Sequence, residues 1–83
     1  MILADRIRKF VLDQRITPAR QRGESRVRIH AKEIHDAMDL ENRMPAVCGA
    51  LDADKFLKYA RVGLVKRSGP AQGSTAEWIL SLE

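Results

Sequence analysis

VGLVKRSGPAQGSTAEWILSL, residues 62–82, is the stretch that decides the fold, because it predicts an antiparallel β-hairpin. Its two ends, residues 62–67 and 76–82, are rich in the β-branched and large apolar residues that favour strands. The eight residues between them, 68–75, contain two Gly, one Pro and three small polar residues, a composition typical of a loop. We therefore expect two strands joined by a long loop.

A third strand is predicted upstream of the hairpin, where RVRIH at residues 26–30 alternates basic or polar side chains with apolar ones. This alternation directs Val27 and Ile29 toward a core and Arg26 and Arg28 toward solvent. We expect this strand to add to the hairpin as an edge strand, which gives a small antiparallel sheet.

Helical periodicity and helix-start signals account for the segment before this strand. Residues 3–14 predict a helix, because their apolar side chains recur at the helical period. The pair Thr17-Pro18 predicts a new helix start, with Thr17 as the N-cap and Pro18 in the first helical position. The short helix that follows is expected over residues 18–22, with Gly23 ending it.

Three further helices are expected between the first strand and the hairpin. The first covers residues 31–38 and leads into a turn over 39–42. The second covers residues 43–51, with Asn42 as its N-cap, and the third covers 55–60. The whole chain, residues 1–83, is then a single α+β domain in which the sheet closes one side of a three-helix core.

The charge balance favours a polyanionic partner. The chain carries 15 Lys and Arg against 11 Asp and Glu, a net charge of +4, and ten of the cations are Arg. Residues 1–30 have a net charge of +5, residues 31–60 of −2 and residues 61–83 of +1. Arg forms forked hydrogen bonds with phosphate and with guanine, so this excess points to nucleic acid. The alternative is that a basic segment only keeps a small protein in solution.

Other kinds of chemistry find little support in the sequence. Cys48 is the only cysteine, so we expect neither an internal disulfide nor a cysteine zinc cluster, and this fits a cytoplasmic protein. Cys48, His30 and His35 lack the spacing of a metal site, and no phosphate-binding or dinucleotide-binding glycine motif is present. We expect no metal, no cofactor, no membrane contact and no enzymatic activity.

Three segments together resemble the winged helix-turn-helix domains of prokaryotes. RVRIHAKEIHDAMDL (26–40) is similar to a first strand that runs into the first helix of the motif. NRMPAVCGAL (42–51) is similar to a recognition helix, and residues 62–82 are similar to a wing hairpin. The likeness extends to small uncharacterised microbial proteins with such a domain. It implies an α+β winged-helix fold that binds double-stranded DNA as a transcription regulator or accessory factor.

The resemblance implies two sets of DNA-contacting residues. The recognition helix would place its first residues at base edges in the major groove. Its candidate base-reading residues are Asn42, Arg43, Met44, Ala46 and Gly49. The wing and the basic N-terminal third would contact the DNA backbone through Arg20, Arg22, Arg26, Arg28, Lys66, Arg67, Gln72, Ser74 and Thr75. For each set there is a structural alternative: Asn42 as a helix cap only, the wing as a flexible loop, and the N-terminal arginines paired with Glu24 or Glu33.

Two features of the sequence weigh against a simple DNA-binding motif. Leu40, the apolar residue of the turn, lies seven positions before Val47, whereas a common helix-turn-helix has about five, so the register of the recognition helix is open. The helix expected at 31–38 and its turn carry Glu33, Asp36 and further acids that repel phosphate. A winged-helix adaptor for another protein and a binder of structured RNA are therefore the alternatives, and a homodimer stays open.

Overall fold

The computed structural model describes all residues, 1–83, and has α+β architecture. The helices are α1 (Leu3–Val11), a π-helical segment (Leu12–Ile16), α2 (Thr17–Gln21), α3 (Ala31–Ala37), α4 (Met44–Asp52) and α5 (Asp54–Ala60). The strands are β1 (Arg26–His30), β2 (Gly63–Ser68) and β3 (Glu77–Ser81). Because α1, the π-helical segment and α2 follow one another without a break, the chain has four helical rods and one sheet.

The sheet has three antiparallel strands in the order β1-β3-β2. The sequence predicts such a sheet with β1 at its edge, and the structure shows that β1 pairs with β3. Arg26 lies opposite Ser81 at one end of the β1–β3 ladder, and His30 lies opposite Glu77 at the other. The β2–β3 pairing contains an irregularity between Leu64 and Lys66, which is a β-bulge on the edge strand. The central strand β3 therefore joins two edge strands into one surface.

The core lies between the inner face of this sheet and the helices. Its largest fully buried side chains come from the long N-terminal helix, β1, the three later helices and β3. They are Trp78, Phe56, Ile7, Ile16, Ile29, Ile34, Leu51, Leu80, Val11, Val47 and Cys48. Each large apolar side chain that leaves water contributes about 1.5–3 kcal/mol, so this cluster is the main source of stability.

The N-terminal helix corrects one prediction, because it does not restart at Thr17. Thr17 has helical backbone angles, and its N–H donates to the carbonyl of Leu12, five residues earlier. Pro18 has no N–H to donate and its ring crowds the preceding turn, which would kink a regular α-helix. The wider π-helical segment takes up this misfit, and the helix continues to Gln21.

Arginine side chains tie this long helix to the rest of the fold. Arg8 is buried and its Nε donates to the carbonyl of Ala50 in α4 at 3.0 Å. Arg20 donates from Nη2 to the carbonyls of Ala60 and Arg61, at 2.9 and 2.6 Å. Arg61 has left-handed backbone (φ 57°) and ends α5, so Arg20 satisfies carbonyls that the helix end leaves open.

No helix combines the length and the apolar character needed to cross a lipid bilayer.

Candidate nucleic-acid interface

The connection between α3 and α4 contains the first of the expected base-reading residues. Asn42 has left-handed backbone, with φ of 53°, a conformation that its short polar side chain tolerates. It is therefore not the N-cap of α4, and that prediction is wrong. The N-cap is Arg43, whose backbone N–H donates to Nε2 of His35 in α3 at 3.2 Å. This bond ties α4 to α3 while the side chains of Asn42 and Arg43 stay exposed.

The outward face of α4 is smooth and uncharged through most of its length. Met44 and Ala46 are partly buried and pack against the core, so they are turned away from solvent more than the sequence predicts. Pro45 and Gly49 are exposed, and a Cβ built at Gly49 meets no atom within 4 Å. Since α4 contains no basic residue, Arg43 is the one cation at this end of the helix.

The β2–β3 loop, residues 69–76, is held by Arg67, Asp52 and Trp78, which we call the Arg67 clasp. Arg67 donates from Nε and Nη2 to the two carboxylate oxygens of Asp52, at 2.8 and 3.1 Å. Its Nη1 donates to the carbonyl of Ser68 at 2.7 Å and its Nη2 to that of Pro70 at 3.0 Å. The guanidinium carbon lies 4.8 Å from the centre of the Trp78 ring, whose Nε1 donates to Asp52 at 2.7 Å.

The pKa values of the clasp follow from these contacts. Burial alone raises the pKa of Asp52, but hydrogen bonds from Arg67 and Trp78 outweigh it and hold that pKa below its usual value. The hydrogen bond between Arg67 and Asp52 also raises the pKa of Arg67. Every polar group of Arg67 therefore has a partner within the chain. The side chain organises the loop, and a phosphate could bind it only by breaking these bonds.

The β2–β3 loop is compact and contacts the two helices α3 and α4. Gly69 has φ of 85°, and a Cβ there would lie 2.6 Å from the carbonyl oxygen of Thr75. A Cβ at Gly73 would collide with the ring of Pro70 across the loop. The carbonyl of Gly73 also contacts Sγ of Cys48 in α4 at 3.8 Å, and Ser74 accepts a backbone bond from Lys32 in α3 at 3.3 Å. Three of the expected backbone contacts, Gln72, Ser74 and Thr75, are exposed on this loop.

The expected phosphate contacts of the N-terminal third lie at the other end of the sheet. Arg20 is committed to the end of α5, and Arg22 pairs with Glu24 at 2.5 Å, as the structural alternative predicts. Arg26 starts β1 and lies four residues from His30, about 13 Å along the strand. These three arginines are thus separated from the β2–β3 loop by the length of the sheet.

The outer face of the sheet carries a mixed row of side chains between those two ends. Arg28, Ile79 and Lys66 lie side by side on three neighbouring strands. Arg28 contacts Glu77 at 3.3 Å but is 60% exposed, and Lys66 is exposed with no ion-pair partner. Lys66 is therefore open to a ligand, and Arg28 is partly so.

Acidic side chains lie along α3 and its connection to α4, as the sequence indicates. Glu33 pairs with Arg15 at 2.6 Å, and Asp36 pairs with Lys32 at 2.7 Å, a bond that lowers the pKa of Asp36. A little further along the chain, Asp39 and Glu41 are exposed and form no ion pair. The field around Arg43 is accordingly mixed rather than strongly positive.

Sequence reasoning missed the two residues that organise this region, Asp52 and His35. Asp52 is 15 residues from Arg67 and 26 from Trp78, so no spacing pattern connects them. Cys48, in contrast, behaves as a small core residue, and burial raises the pKa of its thiol. No three His, Cys, Asp or Glu side chains converge in an arrangement that could hold a metal ion.

No protein-family model, curated protein or solved structure matches this chain. The functional argument therefore depends on the residues and contacts described above.

Proposed function

We propose that this chain is a non-catalytic winged-helix domain that binds double-stranded DNA chiefly through its phosphates. In this assignment α3 and α4 are the helix-turn-helix and the β2–β3 loop is the wing. The observation that carries the proposal is the position of Arg43. It is an exposed arginine without an ion-pair partner, at the N-terminus of a helix that contacts the wing through Cys48 in its middle and through Asp52 of the Arg67 clasp at its other end.

Several features support contact with the duplex at this face. The backbone N–H groups of Met44 and Ala46 at the start of α4 attract phosphate, although Pro45 between them has no N–H, and Arg43 adds a full positive charge beside them. Gly49 leaves room for close approach of a sugar-phosphate backbone, because nothing in the chain occupies the space above it. The rigid wing brings Gln72, Ser74 and Thr75 as neutral hydrogen-bonding groups. Lys66 and Arg28, which lie on either side of Ile79 on the outer face of the sheet, are further proposed phosphate contacts.

This assignment narrows the sequence-based set of residues. Arg67 and Arg20 serve the fold, and Arg22 and Arg26 lie at the far end of the sheet. Met44 and Ala46 pack against the core, so α4 has few side chains with which to read bases. We accordingly propose that binding is strong toward the backbone and weak in sequence preference.

The test is a fluorescence-anisotropy titration with a random DNA duplex and an RNA duplex of the same sequence. Arg43→Ala is expected to weaken DNA binding about 5- to 150-fold, which corresponds to 1–3 kcal/mol. Lys58→Ala is the matched control, because Lys58 is an exposed cation without an ion-pair partner on α5. Glu41→Gln should strengthen DNA binding by removing a repelling charge. Tighter binding to the RNA duplex, or an equal loss in both alanine variants, would overturn the proposal.

The second candidate function is a protein-interaction adaptor, and the outward face of α4 favours it. Pro45 and Gly49 form a smooth uncharged surface, flanked by the unpaired acids Asp39 and Glu41. Such a surface suits a protein partner with a complementary apolar and basic patch better than it suits phosphate. If this function is correct, Glu41→Gln weakens the partner complex and no variant changes DNA binding.

A further inference from the structure

A cleft between the beginning of α1 and the helix α5 shares no lining residue with the proposed DNA-binding face. It encloses about 320 Å³, near the lower end of the sizes seen for small-molecule sites. Its lining consists of Met1, Asp5, Arg8, Lys55 and Tyr59. Nothing in the proposed function uses these five residues.

The base of the cleft is an arginine that the fold has partly withdrawn from water. The side chain of Arg8 is only 9% exposed, with Nε bonded to the carbonyl of Ala50 and Nη1 bonded to Asp5, each at 3.0 Å. Its Nη2 has no hydrogen-bond partner in the chain. Since no fully buried side-chain nitrogen lacks a partner, Nη2 keeps some exposure to solvent, and Arg8 is one of the residues that line the cleft. A desolvated guanidinium with an open donor is a strong point of attachment for an anion.

The charges around Arg8 select the kind of anion. Asp5 contacts Arg8 at 3.0 Å and Lys55 at 3.8 Å, so two cations share one carboxylate and one positive charge is in excess. A ligand with a single negative charge neutralises this excess. A carboxylate can accept from Nη2 of Arg8 and from Nζ of Lys55 together.

The walls of the cleft select the rest of the ligand. Tyr59 is 47% exposed and Met1 is 81% exposed, and both are among the few large apolar residues that the fold leaves in solvent. An aromatic ring packs favourably against a Tyr face and against a methionine sulfur. The cleft thus combines a cationic base with apolar walls.

We propose that this cleft binds a small aromatic monocarboxylate, with the carboxylate on Arg8 and Lys55 and the ring against Tyr59. Because Arg8 also holds the carbonyl of Ala50, the ligand contacts the residue that joins α1 to α4. The inference does not depend on DNA binding, since no lining residue belongs to the DNA-binding face.

The test is an amide-shift titration of the ¹⁵N-labelled chain with phenylacetate as the probe. We expect saturable shifts at residues 5, 8, 55 and 59, and affinity about tenfold or more above that of phenylacetamide, its uncharged analogue. Acetate, which lacks the ring, should bind more weakly than phenylacetate. Equal shifts with phenylacetate and phenylacetamide, or no saturation at any soluble concentration, would overturn the proposal.

Variants on the rim of the cleft complete the test without disturbing the core. Lys55→Gln and Tyr59→Ala change exposed side chains, so both are expected to fold and to lose most of the phenylacetate affinity. Lys58→Gln removes an exposed charge outside the cleft and should bind phenylacetate as the parent does. A loss in Lys58→Gln as large as that in Lys55→Gln would show that only the overall charge matters and would rule the site out.

Discussion

The β2–β3 loop and the connection between α3 and α4 are both exposed segments that lie next to or contain one arginine, and the two arginines have opposite roles. Arg67 donates hydrogen bonds to Asp52 and to loop carbonyls, and its guanidinium lies over the ring of Trp78. Its side chain is 19% exposed. Arg43 contributes only its backbone N–H and carbonyl to the fold, and its side chain stays in solvent. Whether an arginine can bind a ligand therefore depends on the partners it already has. Its position in a loop does not decide the matter.

The largest effect is expected when the clasp is removed. Arg67→Ala should lower the free energy of unfolding by about 3 kcal/mol, because it leaves Asp52, Trp78 and several carbonyls without their partner. Urea denaturation measures this change. Lys66→Ala, the neighbouring exposed cation, should shift stability by no more than about 0.5 kcal/mol. Similar losses in the two variants would mean that the clasp does not hold the loop.

Replacing a glycine by alanine should change the stability of the fold in opposite directions in the loop and in the helix. Gly69→Ala is expected to destabilise the fold by about 1–3 kcal/mol, since Gly69 has positive φ and its Cβ would meet the carbonyl of Thr75. Gly49→Ala should stabilise it by about 0.5–1 kcal/mol, because alanine is the better helix former and the space is open. Thermal unfolding of both variants checks the signs. Destabilisation by Gly49→Ala would show that α4 is packed differently.

The pH dependence of the free energy of unfolding distinguishes the Arg67 clasp from ordinary ion pairs on the surface. The pKa of Asp52 is lower in the folded chain than its ordinary value of 3.8, so the folded state prefers the ionised carboxylate. This stabilisation is complete at neutral pH, where Asp52 is ionised in both states, and is lost as the pH falls through the folded-state pKa. Asp52→Asn should therefore be less stable than the parent at neutral pH, with a difference that shrinks below about pH 4. A difference that is constant from neutral pH to pH 2 would contradict the ionic role of Asp52.

Local patterns in the sequence predict most of the fold. The alternation in β1 and the glycine-rich loop of the hairpin led to the correct three-stranded antiparallel sheet, because register follows from which face is apolar. The N-terminal helix was misjudged, since Thr17-Pro18 has the composition of a helix start. Only the preceding π-helical turn shows how the chain avoids a break.

The candidate site was less predictable because its organisation depends on contacts between distant residues. The sequence does not show that Arg67 has partners within the chain and that the side chain of Arg43 has none. Nor do the residues around Asp52 indicate that it accepts a hydrogen bond from Trp78. Asn is a residue type that favours the N-cap position, but Asn42 has left-handed backbone and the N-cap of α4 is Arg43. Long-range packing, which single-sequence patterns do not encode, decided which basic residues remain available for a ligand.

The measurement that tests the central claim most directly is the salt dependence of duplex-DNA affinity for the parent, Arg43→Ala and Lys58→Ala. We predict a linear fall of log affinity with log salt, and a slope reduced by about 1 in Arg43→Ala but unchanged in Lys58→Ala. Duplex affinity that does not change with salt, or equal slopes in the parent and Arg43→Ala, would contradict the assignment of Arg43 as the DNA contact.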